Sequence, residues 1–159
     1  MAQTKVDKSA AGFVFAPTTK EIPASCQFGS GLLVGEDIKA GDACYVKESD
    51  GLVYKSGGSG VTTVNQEGSR VDGFAMEDAY YNSGGGRQQA VTLLIDIDVA
   101  YNGGGVTPVP GRHYFIHVGD ASKGMLTSDP ASLNTPPIAA LPPIAVGIDS
   151  KRIRLLGPS

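Results

Sequence analysis

Gly41-Asp42-Ala43-Cys44-Tyr45-Val46 and, further along the chain, Gly111-Arg112-His113-Tyr114-Phe115-Ile116 are one pattern written twice. Each copy opens on a glycine turn and runs into an apolar, aromatic strand. Each then reverses at a glycine, Gly51 or Gly124, into a second short strand: Leu52-Val53-Tyr54-Lys55-Ser56 in the first copy, Met125-Leu126-Thr127-Ser128 in the second. After a loop of different length comes a third strand, Val71-Asp72-Gly73-Phe74-Ala75-Met76 or Ile144-Ala145-Val146-Gly147-Ile148-Asp149. Period-two apolar runs bounded by glycine are strand signals, and their recurrence marks an internal repeat. The expected fold is all-β: a small glycine-rich barrel or sandwich built from two similar strand-hairpin-strand units.

Further short β-rich runs fit the same reading at residues 32–34, 43–47, 52–55, 71–76, 91–99, 113–118, 144–148 and 153–156. In the longest, Val91, Leu93, Ile95, Ile97 and Val99 fall on one face of a single strand by the period of two, and that face is expected in the core. Glycine-rich stretches at residues 56–60, 83–86 and 102–105 are expected connectors. The segment 135–144 repeats Pro-Pro-Ile-Ala, and prolines lack the amide a ladder needs, so a stiff surface crossing is expected there. One short helical turn is expected near residues 77–81.

The 159 residues amount to one domain, with 22 glycines and a 41% hydrophobic fraction that suits a turn-rich folded chain rather than a disordered one. A net charge of −3 argues against a grip on phosphate backbones, which needs clustered Lys and Arg, so no nucleic-acid partner is expected. Cys26 and Cys44 have no Cys-x-x-Cys spacing and suit a reducing compartment. No apolar run nears the roughly 20 residues of a membrane span and no export leader is evident, so a soluble chain without a membrane partner is expected.

Residues 1–31 carry scattered apolar side chains and no period long enough to define an element. They read as an extended N-terminal arm ahead of a β-rich domain at 32–159. Twenty stretched residues would reach roughly 65–70 Å. Val6, Phe13, Val14, Phe15 and Ile22 are the candidate partner-binding residues of this arm, because an extended segment gains backbone hydrogen bonds and side-chain pockets by adding to a neighbour's sheet edge. The other reading is an edge strand folded back on its own core.

Signals of chemistry are weak. His113 and His117, four apart, would share a metal on a helix, but on a strand they lie about 13 Å apart. Asp96 and Asp98 fall on one side of a strand about 7 Å apart, as paired carboxylates could, yet nothing nearby supplies a pocket, and a solvated strand face is expected. The glycine runs lack the Walker pattern, and no Gly-x-Ser-x-Gly elbow is present. Neither catalytic residues, a metal nor a cofactor is expected.

The run Val34-Gly35-Glu36-Asp37-Ile38-Lys39-Ala40-Gly41-Asp42-Ala43-Cys44-Tyr45-Val46, followed by Asp50-Gly51-Leu52-Val53-Tyr54-Lys55, resembles the capsid decoration, or cement, proteins of tailed bacteriophages. The likeness continues through Val71-Asp72-Gly73-Phe74-Ala75, residues 91–100 and 111–116, Gly124-Met125-Leu126-Thr127, residues 144–148 and Ile153-Arg154-Leu155-Leu156, covering most of 32–156. Residues 1–31 and the Pro-Pro repeat fall outside it. The resemblance implies a small β-rich protein, typically a homotrimer, that binds the major capsid protein lattice on the outer surface of the mature head and braces it without catalysis. Two other readings compete. One is a projecting virion domain that binds host polysaccharide or another receptor through Tyr80, Tyr81 and Tyr101. The other is a wall-polymer hydrolase using Asp96, Asp98 or Glu77.

Overall fold

The computed structural model describes residues 14–17, 21–57, 67–81, 88–102, 107–118, 123–128 and 141–158. Among these, eleven strands form two antiparallel sheets, joined by loops and two 3-10 turns, Ala24–Cys26 and Glu67–Ser69. No helix among the described residues is long and apolar enough to cross a membrane. The strands are β1 (Val14–Pro17), β2 (Gln27–Leu33), β3 (Ala43–Val46), β4 (Val53–Lys55), β5 (Gly73–Ala75), β6 (Ala90–Leu94), β7 (Asp98–Asn102), β8 (His113–Ile116), β9 (Leu126–Thr127), β10 (Ala145–Gly147) and β11 (Arg152–Leu155).

The repeat is larger in space than in sequence. One sheet has the order β2-β6-β5-β3-β4, and the other, apart from β1, has β7-β11-β10-β8-β9. Substituting β7 for β2, β8 for β3 and so on turns one order into the other, so the chain holds two five-stranded units of identical topology. The correspondence reaches individual hydrogen bonds. Gly41 N donates to Ala75 O, and Ala75 N to Asp42 O; Gly111 N donates to Gly147 O, and Gly147 N to Arg112 O. At the hairpins Lys47 N donates to Leu52 O, and His117 N to Met125 O. The hairpin glycines Gly51 and Gly124 both hold positive φ, 72° and 78°, a conformation that costs glycine little.

The middle of the first sheet, around β5, is buried on both faces. Cys44, Ala75 and Leu93 point into a cluster with Val34, Ile38, Val53, Ala79 and Val91, enclosed by the curl of the first sheet itself. A parallel bridge from Val34 to Val53 brings the end of β2 against β4 and tightens that curl. Their neighbours Ala43, Phe74 and Leu94 point the other way, into a second cluster built mainly from the inner face of the second sheet: Val99, Tyr101, Tyr114, Ile116, Ala145, Ile153 and Leu155. The period of two assigns the faces, and the stacking of one unit against the concave side of the other buries both.

Three expectations change. The run 91–99 is two strands, because Asp96 takes φ 51° and ends the pleat between β6 and β7, which belong to different sheets. Aspartate is among the few side chains that tolerate this region. Val91 and Leu93 therefore line the first cluster, Ile97 and Val99 the second, and Ile95 is only half-buried. The helical turn expected at 77–81 is instead extended chain, with Ala79 bridged to Ile38 and Tyr81 to Gln88. Two sheet strands also lie in the stretch read as arm: β1 pairs with β7, and β2 crosses residue 31 and pairs with β6. In the Pro-Pro repeat, residues 135–140 lie outside the described residues, while Leu141 and Ile144 are buried in the core and Pro142 and Pro143 are exposed.

Candidate partner-binding site

Of the five apolar residues read as partner-binding, Val6 and Phe13 lie outside the described residues. The other three separate by face. Register places Val14 opposite Asn102 and Phe15 opposite Tyr101. Phe15 thus turns inward, its ring meeting Tyr101 edge-on at 6.0 Å and 84°. It also covers Gly41, where an added Cβ would sit 3.1 Å from the Phe15 ring. Ile22 is half-buried against the same core. Val14 faces outward and is 44% exposed. The sequence's second reading, a strand folded onto its own core, describes residues 14–17, and Phe15 pins that strand in place.

Sequence reasoning missed the edge of the first sheet. β2 carries Phe28 and Leu33, exposed at 42% and 43%. Its pairing with β6 is interrupted by register shifts around Gly29, with Gly31 at φ 69°. The run read at 32–34 caught only the end of this strand, because glycines at 29 and 31 hid residues 27–31 from a period-two reading.

A second exposed surface lies where residues 37–40 meet residues 78–81. Tyr80 and Tyr81 are 42% and 39% exposed. Lys39 Nζ donates to the Tyr80 hydroxyl at 3.3 Å and lies 5.2 Å from the ring centre. The Tyr80 hydroxyl donates to Asp78 Oδ2 at 3.4 Å, Asp78 Oδ1 accepts from Ala40 N, and Asp37 Oδ1 accepts from Tyr81 N. The Lys39 ammonium is held above its usual pKa, first by the bond to Tyr80 and then by charge. Tyr101, the third tyrosine of the sugar-stacking reading, is 1% exposed and belongs to the core, where burial pushes its phenol far up.

The residues weighed for chemistry do not converge. Asp96 sits in the turn between the sheets, with its carbonyl accepting from Cys26 Sγ at 3.4 Å. Asp98 is on β7 and forms an ion pair with Arg154 at 3.1 Å, so the two carboxylates are not neighbours on one strand face. His113 is exposed on β8 while His117 is buried just beyond it. Among the described residues no three His, Cys, Asp or Glu side chains come together as metal ligands would.

A titratable pair sits on the first hairpin. The Tyr54 hydroxyl donates to Asp50 Oδ2 at 2.7 Å, and the phenol is pushed up to about 12, chiefly by that bond. Asp50 is held below the usual carboxylate range, first by the Leu52 amide and then by Tyr54. The raised phenol contributes stability that is whole below pH ~10 and is lost as pH rises through its folded value. The depressed carboxylate contributes stability present above about pH 4 and lost as pH falls through its lowered pKa. Following phenolate absorbance, Asp50→Asn is expected to bring the Tyr54 midpoint down toward 10, and Tyr54→Phe to remove that step altogether. A midpoint unchanged by Asp50→Asn would contradict the assignment.

Together these features define a class: an all-β, two-sheet protein made of a duplicated five-stranded unit, with an N-terminal strand pinned to one sheet edge. No protein-family model, curated protein or solved structure matches the chain.

Proposed function

We propose that this protein decorates a tailed-phage head: it binds the outer surface of the mature capsid lattice as a cement protein, typically as a homotrimer, with its N-terminal segment clamping neighbouring subunits. The observation that carries the reading is the pinning of β1. Phe15 ties a short edge strand to the core, so Val14, where the N-terminal segment joins, is held at a sheet edge. A tether there meets a neighbour as an added strand, the use for which extended segments are suited. The work is mass action without catalysis: a protein that binds only the expanded lattice stabilises that lattice by its concentration relative to its dissociation constant. Repetition over a shell multiplies the effect.

The clean cut is before Val14, because removing Phe15 and Ile22 would open the domain's own core. Deleting residues 1–13 is expected to leave the thermal midpoint within a few degrees of the parent and to lower occupancy on purified full heads at least tenfold in co-sedimentation. Unchanged occupancy would remove the clamp, and absence of binding by the full chain to heads would remove the cement reading.

The exposed Tyr80 and Tyr81, beside Lys39, Asp37 and Asp78, favour a second reading, a projecting virion domain that binds host polysaccharide, since aromatic faces flanked by hydrogen-bonding groups suit sugars. Saturable binding on a glycan array that Tyr80→Ala abolishes would select it.

A further inference from the structure

The two units share one strand order but differ at one edge. In the second unit the outer edge of β7 is occupied: β1 pairs along it from Val14 opposite Asn102 to Pro17 opposite Val99. In the first unit β2 holds the position of β7, ends the strand order, and has no partner on its outer edge among the described residues before the bridge from Val34 to β4. That edge strand carries two of the large apolar side chains most exposed among the described residues, Phe28 and Leu33. An open strand edge flanked by exposed apolar side chains is a template for another strand.

We propose that the β2 edge accepts residues 1–13 of a second copy of this chain, an inference that rests on reading those residues as a clamp but not on which particle the protein binds. The direction of the chain selects a second copy over the same one. β1 runs from the Asn102 end of β7 to the Val99 end, and ten residues after Pro17 the chain enters β2. Val14 thus stands at the end of β1 away from the path to β2, and a segment joined there would have to double back past β1 to reach its own β2 edge. Thirteen extended residues span at most roughly 45 Å, enough to lie along the seven residues of another copy's β2. The bulge around Gly29 to Gly31 divides that edge into two short runs. A bulged edge discourages indiscriminate pairing and favours a strand of matching register. Because each copy both gives a segment and offers an edge, the contact is head-to-tail and generates a ring or an open string.

The test separates giver from acceptor. A chain lacking residues 1–13 keeps the edge but has nothing to give. A full-length chain with Phe28→Lys and Leu33→Lys keeps the segment but carries lysines on the edge, a substitution that natural edge strands use against pairing. Both positions are exposed, so the fold is expected to hold; if the double variant loses its β-sheet circular dichroism, Phe28→Lys alone takes its place. By light scattering, with no capsid present, the parent should associate as concentration rises, each variant alone should remain a single copy, and an equimolar mixture of the two should form a two-copy species. Amide exchange in residues 27–33 should slow in that mixture. A parent that stays single at millimolar concentration, a truncated chain that still associates, or variants that fail to combine would overturn the proposal. So would β2 amides already protected in the dilute, single-copy parent, which would assign the edge to the chain's own segment. Self-association without head binding would sink only the cement reading, and head binding without self-association would sink only this one.

Discussion

Gly147→Ala is expected to destabilise the protein by about 3 kcal/mol or more, the upper range for forcing extra volume into a packed site. For a chain of this size that lowers the melting midpoint by roughly 10 °C. A Cβ at Gly147 would fall inside the carbonyl oxygen of Val109, with the carbonyl carbon at 2.8 Å. Val109 is tied by hydrogen bonds at both its carbonyl and its amide. Its carbonyl accepts from Arg112 N at 3.1 Å, and its amide donates to the hydroxyl of buried Tyr114 at 3.0 Å. Gly147 itself is held by Gly111 and Arg112. The position equivalent to Gly147 in the first unit is Ala75, whose methyl fits in the cluster inside the first sheet, so the need for glycine belongs to the second unit alone. Gly111→Ala is the control. It sits at φ 77° with open space around it and should cost only about 1–2 kcal/mol for its backbone conformation. Thermal melts of the pair decide the matter, and a Gly147→Ala midpoint within two degrees of the parent would contradict the packing.

Phe74→Ala is expected to cost about 3–5 kcal/mol in denaturant unfolding, as truncation of a buried phenylalanine does. Phe74 is 1% exposed and pairs with Ala43 and Leu94 in a patch that the second sheet covers. Against a total stability of roughly 5–15 kcal/mol, that is a large fraction. Its counterpart in the second unit is Val146, which pairs with His113 and Arg154 on the outer side and is only half-buried. Val146→Ala should cost no more than about 1 kcal/mol. The inequality tests the stacking itself: two units placed back to back would make both substitutions costly, whereas the back of one unit in the hollow of the other makes only the first so. Comparable losses at the two positions would refute the arrangement.

The doubled unit was legible because its signals are local. Glycine at Gly41, Gly51, Gly111 and Gly124 marks turns by backbone freedom, and alternating apolar residues mark the strands between them. β1 was harder to read, since Val14–Pro17 is four residues long and half exposed, and only its register against β7 shows that Phe15 belongs to the core. Only the end of β2, at residues 32–33, was read as strand; its glycines hid the rest. The break at Asp96 had no pattern of its own, because apolar alternation runs through it unchanged. The candidate site was legible in part. Val14 is exposed, Phe15 and Ile22 face the core, and the β2 edge at Phe28 and Leu33, with no strand beside it among the described residues, appeared only once strand order was known.

By itself the amino-acid order determined that this chain is all-β, that it contains the same hairpin unit twice, and where most of its strands lie, since turns and pleats depend on residues a few positions apart. Only the tertiary structure decided that the units each take in five strands, that the middle of the first is buried on both faces, and that one sheet edge is covered while its equivalent has no strand beside it among the described residues. Those outcomes depend on which strands become neighbours, and apolar residues such as Phe74 and Val146 read alike in sequence until the packing of one sheet on another puts the first in the core and leaves the second at the surface.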